Sequence, residues 1–141
     1  MSESMFDLPP KAPRELLAEW SDLADRVCRA LTRAGLPARR GDRGGGPAGS
    51  GADVHVDPFA DGGGGVYVDW RTDAELTTAV VEVMEGRVDF TDPPAVVRHH
   101  RDVHRFMGEA LVGILDSAGF QVEVPDPHTY GSAAYVKGLQ A

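Results

Sequence analysis

The stretch "DVHVDPFADGGGGVYVDW", residues 53–70, decides how this chain can fold. At both of its ends, valines alternate with polar or aromatic residues, a period of two that is typical of β-strands with one buried face. The middle combines proline, aspartate and glycine, which favour turns. The stretch therefore predicts two strands joined by a long loop into an antiparallel hairpin.

A second stretch, "FQVEVPDPHTYGSAAYVK", residues 120–137, repeats this design. The residues shared at a constant offset are Val54, Val56, Gly63, Tyr67 and Val68 in the first stretch and Val122, Val124, Gly131, Tyr135 and Val136 in the second. The segments "RAGL" and "SAGF" precede the two hairpins. The match indicates a helix–hairpin unit used twice. The alternative is convergence, because valine and tyrosine favour any strand and glycine any turn.

Three amphipathic helices are predicted from apolar residues that recur every three or four positions. The first covers residues 14–34 and stops at Gly35. The second opens with "TDAE", in which Thr72 is the expected cap and Glu75 the residue that reaches back to it. The third opens with "DPP", with Asp92 as the expected cap, and ends at "SAGF".

Together these elements predict an α+β fold in a single domain that spans residues 1–141. The expected order is helix-hairpin-helix-helix-hairpin, with three helices packed on one face of a four-stranded, mainly antiparallel sheet. Residues 1–13 are expected to form a flexible N-terminus. Residues 37–52, rich in glycine and arginine and without an apolar anchor, are expected to form a mobile loop.

Composition limits the classes of partner and the compartment. The net charge of −8 makes nucleic acid and anionic membranes unfavourable partners, because phosphates are neutralised by clustered cations. RNA binding through Arg39, Arg40 and Arg43 together with the arginines of the third helix, Arg98, Arg101 and Arg105, is the remaining alternative of that kind. No apolar run reaches the ~20 residues of a membrane span, and the N-terminus lacks the pattern of a secretory signal. With a lone Cys28, expected to be an inert core thiol, these features favour a cytoplasmic protein.

The segment "RHHRDVH", residues 98–104, concentrates three histidines on the third helix. At about 100° per residue, His100 falls within the apolar stripe and His99 and His104 fall at its two borders. We therefore expect the three histidines to be core and border residues.

A divalent metal is the alternative role for two of these histidines. His100 and His104 are one turn apart and could bind one ion, with His55 or His128 as a further ligand. The zinc-protease pattern fails, because it requires glutamate directly after the first histidine and the chain has Arg101 there.

Strand alternation also predicts a polar and aromatic face on the side of the sheet away from the helices. The residues expected to form a binding surface there are His55, Tyr67, Asp69, Glu123, Tyr135 and Lys137. Two tyrosines at matched positions among polar residues are typical of an interface. They could equally be cross-strand pairs that stabilise an exposed sheet.

No phosphate loop, nucleophile elbow or complete metal site is recognisable in the sequence. We therefore predict a non-enzymatic protein-binding module, acting as an adaptor, chaperone or regulatory partner through the exposed sheet face and needing no cofactor. Its partner would be another protein or a second copy in a homodimer. The order of elements, the small size and the acidity are similar to those of secretion chaperones. The alternative is a metal-dependent enzyme or metal sensor built on His100 and His104.

Overall fold

A computed structural model describes residues 10–42, 49–60, 64–86, 91–124 and 133–140. Its elements in chain order are α1 (Arg14–Arg33), β1 (Ala38–Arg40), β2 (Gly51–Asp57), β3 (Gly65–Arg71), α2 (Ala74–Met84), α3 (Ala95–Ser117), β4 (Phe120–Glu123) and β5 (Ala134–Leu139). The strands form one sheet in the order β1-β2-β3-β5-β4. The predicted α+β class is confirmed, and both predicted hairpins belong to the same sheet.

The prediction of a four-stranded, mainly antiparallel sheet is wrong in one respect, because the sheet has five strands and is mixed. The added strand, β1, pairs in parallel with β2, whereas all other pairs are antiparallel. It lies within residues 37–52, the segment that we predicted to be a mobile loop. With only three residues, two of them arginines, β1 carries too little apolar pattern to be recognised from sequence.

Arg40 fixes β1 to the helix layer. Its side chain is only 10% exposed, and its guanidinium lies 2.8 Å from a carboxylate oxygen of Asp25 on α1 and 2.8 Å from one of Asp42. It also donates to the backbone oxygen of Ser21, at 3.1 Å. Partial burial favours the protonated acid of Asp42, but the hydrogen bonds from Arg40 hold the pKa of Asp42 below its ordinary value. A charge cluster thus adds to the single apolar side chain of β1, Ala38, which packs against the core.

The two hairpins pair in the same register. Val54 lies opposite Val68 in the first hairpin, and Val122 lies opposite Val136 in the second, at the offset seen in the sequence. The equivalent strands β3 and β5 then pair with each other about Tyr67 and Tyr135. A two-fold rotation through that tyrosine pair produces this strand order and register, which is the arrangement that a helix–hairpin unit used twice would adopt.

The second hairpin departs from the first at β4. A bulge between Gln121 and Val122 shifts the register, so Gln121 pairs with Gly138. β4 ends at Glu123, and Val124, which the sequence pattern matched with Val56 and for which a buried position on the helix side of the sheet is therefore expected, is 72% exposed. That expectation is wrong because the alternation stops one residue earlier than the sequence pattern indicated.

The helices α1 and α3 end in the same way and contribute the same core positions. Gly35 and Gly119 follow them with φ angles of 98° and 97°, in the left-handed region that favours glycine. Four residues before each glycine, Leu31 and Leu115 are fully buried. They pack with the valines of β2, β3 and β5, so one core joins both helix–hairpin units.

The helix α2 does not pack on the sheet as predicted. Its main contacts are with α3, and it contains no buried residue. The expectation of three helices on one face therefore holds for α1 and α3 only. The physical reason is that α2 is short, with eleven residues, and turns its partly buried side chains toward α3, while Val81 and Met84 remain exposed.

Both predicted N-caps are wrong. Asp73 caps α2 in place of Thr72, because its carboxylate accepts a hydrogen bond from the backbone N–H of Glu75 at 3.0 Å. α3 begins after Pro94 without a side-chain cap, so Asp92 lies outside the helix. Pro94 disfavours the helical conformation of the residue before it, which delays the start of the helix.

The chain before α1 is tied to the first hairpin. The backbone N–H of Ala12 donates to the carbonyl of Pro58 at 2.8 Å, and Lys11 forms an isolated bridge with Phe59. Ala12 is buried. The last part of residues 1–13, predicted to be flexible, thus forms backbone contacts, while residues 1–9 lie outside the described residues.

Candidate functional site

A row of three aromatic rings crosses the face of the sheet opposite α1 and α3. His55, Tyr67 and Tyr135 are cross-strand neighbours on β2, β3 and β5. The rings of His55 and Tyr67 are stacked with centroids 5.9 Å apart, and those of Tyr67 and Tyr135 are tilted with centroids 4.9 Å apart. Tyr67 is only 5% exposed, because a ring flanks it on each side. It therefore supports the row, and the accessible parts are His55 and Tyr135.

The hydroxyl of Tyr135 fixes the end of the row. It donates to the backbone oxygen of Gly64 at 3.2 Å, just before β3 begins. Gly65 leaves the space that the Tyr135 ring occupies, because a Cβ there would lie 2.8 Å from the ring. A residue with a side chain at position 65 would therefore displace the ring of Tyr135.

Two charged pairs flank the row at matched positions of the two hairpins. Nζ of Lys137 lies 2.7 Å from a carboxylate oxygen of Glu123, and both side chains are about half exposed. The hydrogen bond and the charge of Glu123 raise the pKa of Lys137. In the first hairpin, Nδ1 of His55 lies 4.0 Å from a carboxylate oxygen of Asp69, too far for a hydrogen bond. The acidic residue therefore lies on β4 in the second hairpin and on β3, the strand equivalent to β5, in the first.

A histidine of α3 senses the charge of Asp69, a residue of this face near the end of β3. β5 begins opposite Val68, so Asp69 lies beyond the β3–β5 pairing. Partial burial and the charge of His100 lower the pKa of His104, whereas Asp69 acts in the opposite direction. His104 is consequently neutral at neutral pH.

The two histidines proposed as metal ligands do lie side by side. The ring centroids of His100 and His104 are 4.5 Å apart, and both rings are at least partly exposed. They would supply two of the four ligands of a tetrahedral site. Among the described residues, no group of three or more His, Cys, Asp and Glu side chains is arranged to hold one ion, so His55 does not join them. His128 lies outside the described residues.

Sequence reasoning missed a buried carboxylate on the same face. Asp53 is 6% exposed, and its Oδ2 lies 2.7 Å from Nε of Arg71. Its Oδ1 is buried and has no hydrogen-bond partner. Gly41 packs so closely on this carboxylate that a Cβ at that position would overlap it. Strand alternation already placed Asp53 on the side of His55 and was the signal available in the sequence.

Cys28 is a poor nucleophile in this environment. Its side chain lies on α1 at the edge of the core, and burial raises the pKa of the thiol to about 11. The thiolate, which is the reactive form, is therefore scarce at neutral pH. This agrees with the expectation of an inert core thiol.

Comparisons with protein-family models, curated proteins and solved structures found no match to this chain. Within the described ranges, no helix has both the length and the apolar character needed to span a membrane. The geometry of the site therefore carries the functional argument alone.

Proposed function

We propose that this chain is a non-enzymatic protein-binding module that acts through the face of the sheet defined by His55, Tyr67, Tyr135 and the two charged pairs. The observation that carries the proposal is the aromatic row at the centre of that face. Such a module would serve as an adaptor, a chaperone or a regulatory partner in the cytoplasm.

The row has the physical properties of an interface centre. Tyrosine offers a large contact area with few rotatable bonds, and interfaces are enriched in it. Tyr135 is held from both sides, by the ring of Tyr67 and by its hydrogen bond to Gly64. A partner would therefore meet a surface whose side chains lose little conformational entropy on binding.

The charges around the row favour a self-complementary contact. Asp69 and Lys137 occupy matched positions in the two hairpins with opposite charges. A second copy docked face to face about a two-fold axis could bring Lys137 of one copy to Asp69 of the other. A homodimer is thus one form of the proposed complex, and a different protein with a similar charge pattern is the other.

The charges of Glu123 and Lys137 can be exchanged by substitution without removing the ion pair between these two positions. Glu123→Lys combined with Lys137→Glu keeps an ion pair between β4 and β5. It places the acid on β5, as Asp69 lies on the equivalent strand β3 of the first hairpin. We expect this double variant to unfold at the same urea concentration as the wild type. It should bind its partner, or itself, at least tenfold more weakly, because like charges would face each other across the interface.

Light scattering over a concentration series measures self-association, and co-purification from the native lysate followed by titration measures a different partner. Arg101→Glu, on an exposed position of α3, is the control, and its binding should remain unchanged. Equal binding by the wild type and the double variant would contradict the proposal, as would a monomer that retains no partner.

A second candidate function is a metal site, favoured by the contact between the rings of His100 and His104 and by the neutral state of His104. Metal ligation requires neutral imidazoles. Elemental mass spectrometry of untagged protein purified without chelators tests it directly. Near-stoichiometric zinc that His104→Ala abolishes, with the fold retained, would support this function; absence of metal in the wild type would reject it.

A further inference from the structure

A groove separate from the sheet face runs between the second half of α1 and the end of α3. It has a volume of about 930 Å³. Its wall is formed by Arg26, Arg29 and Arg33, and its floor by small and apolar residues that include Ala30, Ile114 and Phe120. No carboxylate of the described ranges lines it. The groove thus joins a cationic wall to an apolar floor.

The three arginines have no ionic partner among the described residues. Other arginines do, since Arg40 and Arg71 each form an ion pair at 2.8 Å or less with an aspartate. The spacing of Arg26, Arg29 and Arg33 puts them along one side of α1. In a chain with a net charge of −8, three neighbouring unpaired guanidinium groups form a local site for anions that the average charge does not predict.

The groove is elongated. A second depression, lined by Leu16, Trp20 and Leu23 of α1, continues from it and shares Arg26 and Leu139 with it. From Leu16 to Arg33 the helix rises about 25 Å, which corresponds to a ligand helix of about 17 residues. The far depression is lined by the acids Glu19 and Asp22 as well as by Arg26 and Lys137, so the excess of positive charge is confined to the end of the groove beside Arg29 and Arg33. An extended ligand fits this shape better than a compact one.

We propose that this groove binds an amphipathic peptide segment of a partner protein, with acidic residues at the end that lies against Arg26, Arg29 and Arg33. The guanidinium groups would bind carboxylates in the two-pronged geometry that suits arginine. Apolar side chains of the peptide would cover the floor and Leu139, which is about half exposed.

Nucleic acid fits the groove less well than a peptide. At the arginine end of the groove the aromatic residue is Phe120, which is 4% exposed and therefore cannot stack on a base. Trp20 lies at the other end, beside two acidic residues. Glu19 and Asp22 would repel the phosphates that extend past the arginines. A peptide can match both ends, because its charge can vary along its length.

Selection from a phage-displayed library of random 16-residue peptides provides the probe, and fluorescence anisotropy of an enriched peptide measures its affinity. We expect enriched sequences with several Asp or Glu residues at one end and apolar residues every three or four positions. Arg29→Glu should weaken binding at least tenfold. Gly113→Gln should do the same, because it places a side chain in the groove where the glycine leaves open space.

Both groove variants are expected to fold, since Arg29 is exposed and a Cβ on Gly113 meets no atom within 4 Å. Circular dichroism checks this. Arg101→Glu is the matched charge control, and His55→Ala, on the sheet face and outside the lining of both depressions, separates the groove from the sheet face; each should bind within twofold of the wild type. A library without enrichment, enrichment of basic peptides, or binding that neither groove variant weakens would overturn the proposal.

Discussion

The helix–hairpin unit of α1, β2 and β3 and that of α3, β4 and β5 share a backbone plan but differ in surface chemistry. Leu31 and Leu115 are both buried four residues before the glycine that ends the helix. On the sheet face, however, Glu123 stands where the first unit has His55, and Lys137 stands where it has Asp69. The core residues therefore set the fold in both units, and the differences that allow recognition lie on the surface.

The first unit also holds a strand that the second lacks. β1 extends the sheet beyond β2, and the Arg40 cluster connects it to α1. Asp53, opposite β1, is covered in this unit, whereas Gln121 at the bulge of the second is exposed. The added strand thus explains why the first unit can bury a charged residue on a face that is otherwise polar and open.

The largest expected effects come from the matched core leucines. Leu31→Ala and Leu115→Ala should each lower the free energy of unfolding by about 2–5 kcal/mol, because each opens a cavity at a fully buried site. Urea unfolding followed by circular dichroism measures both. Since one core joins the units, each variant should unfold in a single transition. Two separated transitions would contradict the claim that one core joins the two units, because the units would then unfold independently.

The buried charge of the first unit should give the next largest effect. Arg71→Ala leaves the Asp53 carboxylate without its ion pair, which should cost about 1–3 kcal/mol of unfolding free energy. Asp53→Asn should cost less, because a neutral amide is easier to bury than an unpaired carboxylate. Chemical denaturation of both variants compares them. A larger loss in Asp53→Asn than in Arg71→Ala would contradict this account of the pair.

The glycines that end the two long helices allow a direct comparison of the units. Gly35→Ala and Gly119→Ala should each destabilise the protein by about 1 kcal/mol, because the left-handed conformation is unfavourable for alanine. A Cβ meets no atom within 4 Å at either position, so sterics should not separate the two values. Gly113→Ala, inside α3, is the control and should stabilise the helix. Unequal losses at the two ends would show that the helix ends differ energetically.

The smallest expected effect is a pH dependence from His104. Because its pKa is lowered in the folded state, the unfolded chain binds the proton more tightly. This contribution to stability is therefore present above the ordinary histidine pKa of about 6.5 and is lost as the pH falls through and below that value. The midpoint of urea unfolding, measured from pH 8 to pH 5, should fall slightly less for His104→Gln than for the wild type. A steeper fall in the variant would reverse the sign and contradict the assignment.

The sequence predicts well those elements that apolar periodicity specifies. The alternating valines of β2 and β3 and the stripes of α1 and α3 predicted the core and the composition of the sheet face. β1 was missed because the ion pairs of Arg40, which join residues distant in sequence, stabilise it. The caps were misplaced by one or two residues because neighbouring prolines and aspartates compete for the same role.

For the candidate site, alternation predicted which residues share a face but not how they touch. The stacking of His55 on Tyr67 and the burial of Tyr67 depend on the register between strands. The electrostatic interaction of His104 with Asp69 joins α3 to β3, which are distant in sequence, so no local pattern encodes it. The arginine groove likewise depends on the packing of α3 beside α1, although each arginine is visible in the sequence.

Hydroxyl-radical footprinting of Tyr135 tests the central claim most directly, namely that partners bind at the aromatic row. The protein is oxidised alone and in its complex, or at low and high concentration where it self-associates. We predict that oxidation of Tyr135 falls on association, while oxidation of Phe106, exposed on α3, stays the same and serves as an internal reference. Unchanged oxidation of Tyr135 in a complex that protects other residues would contradict the claim.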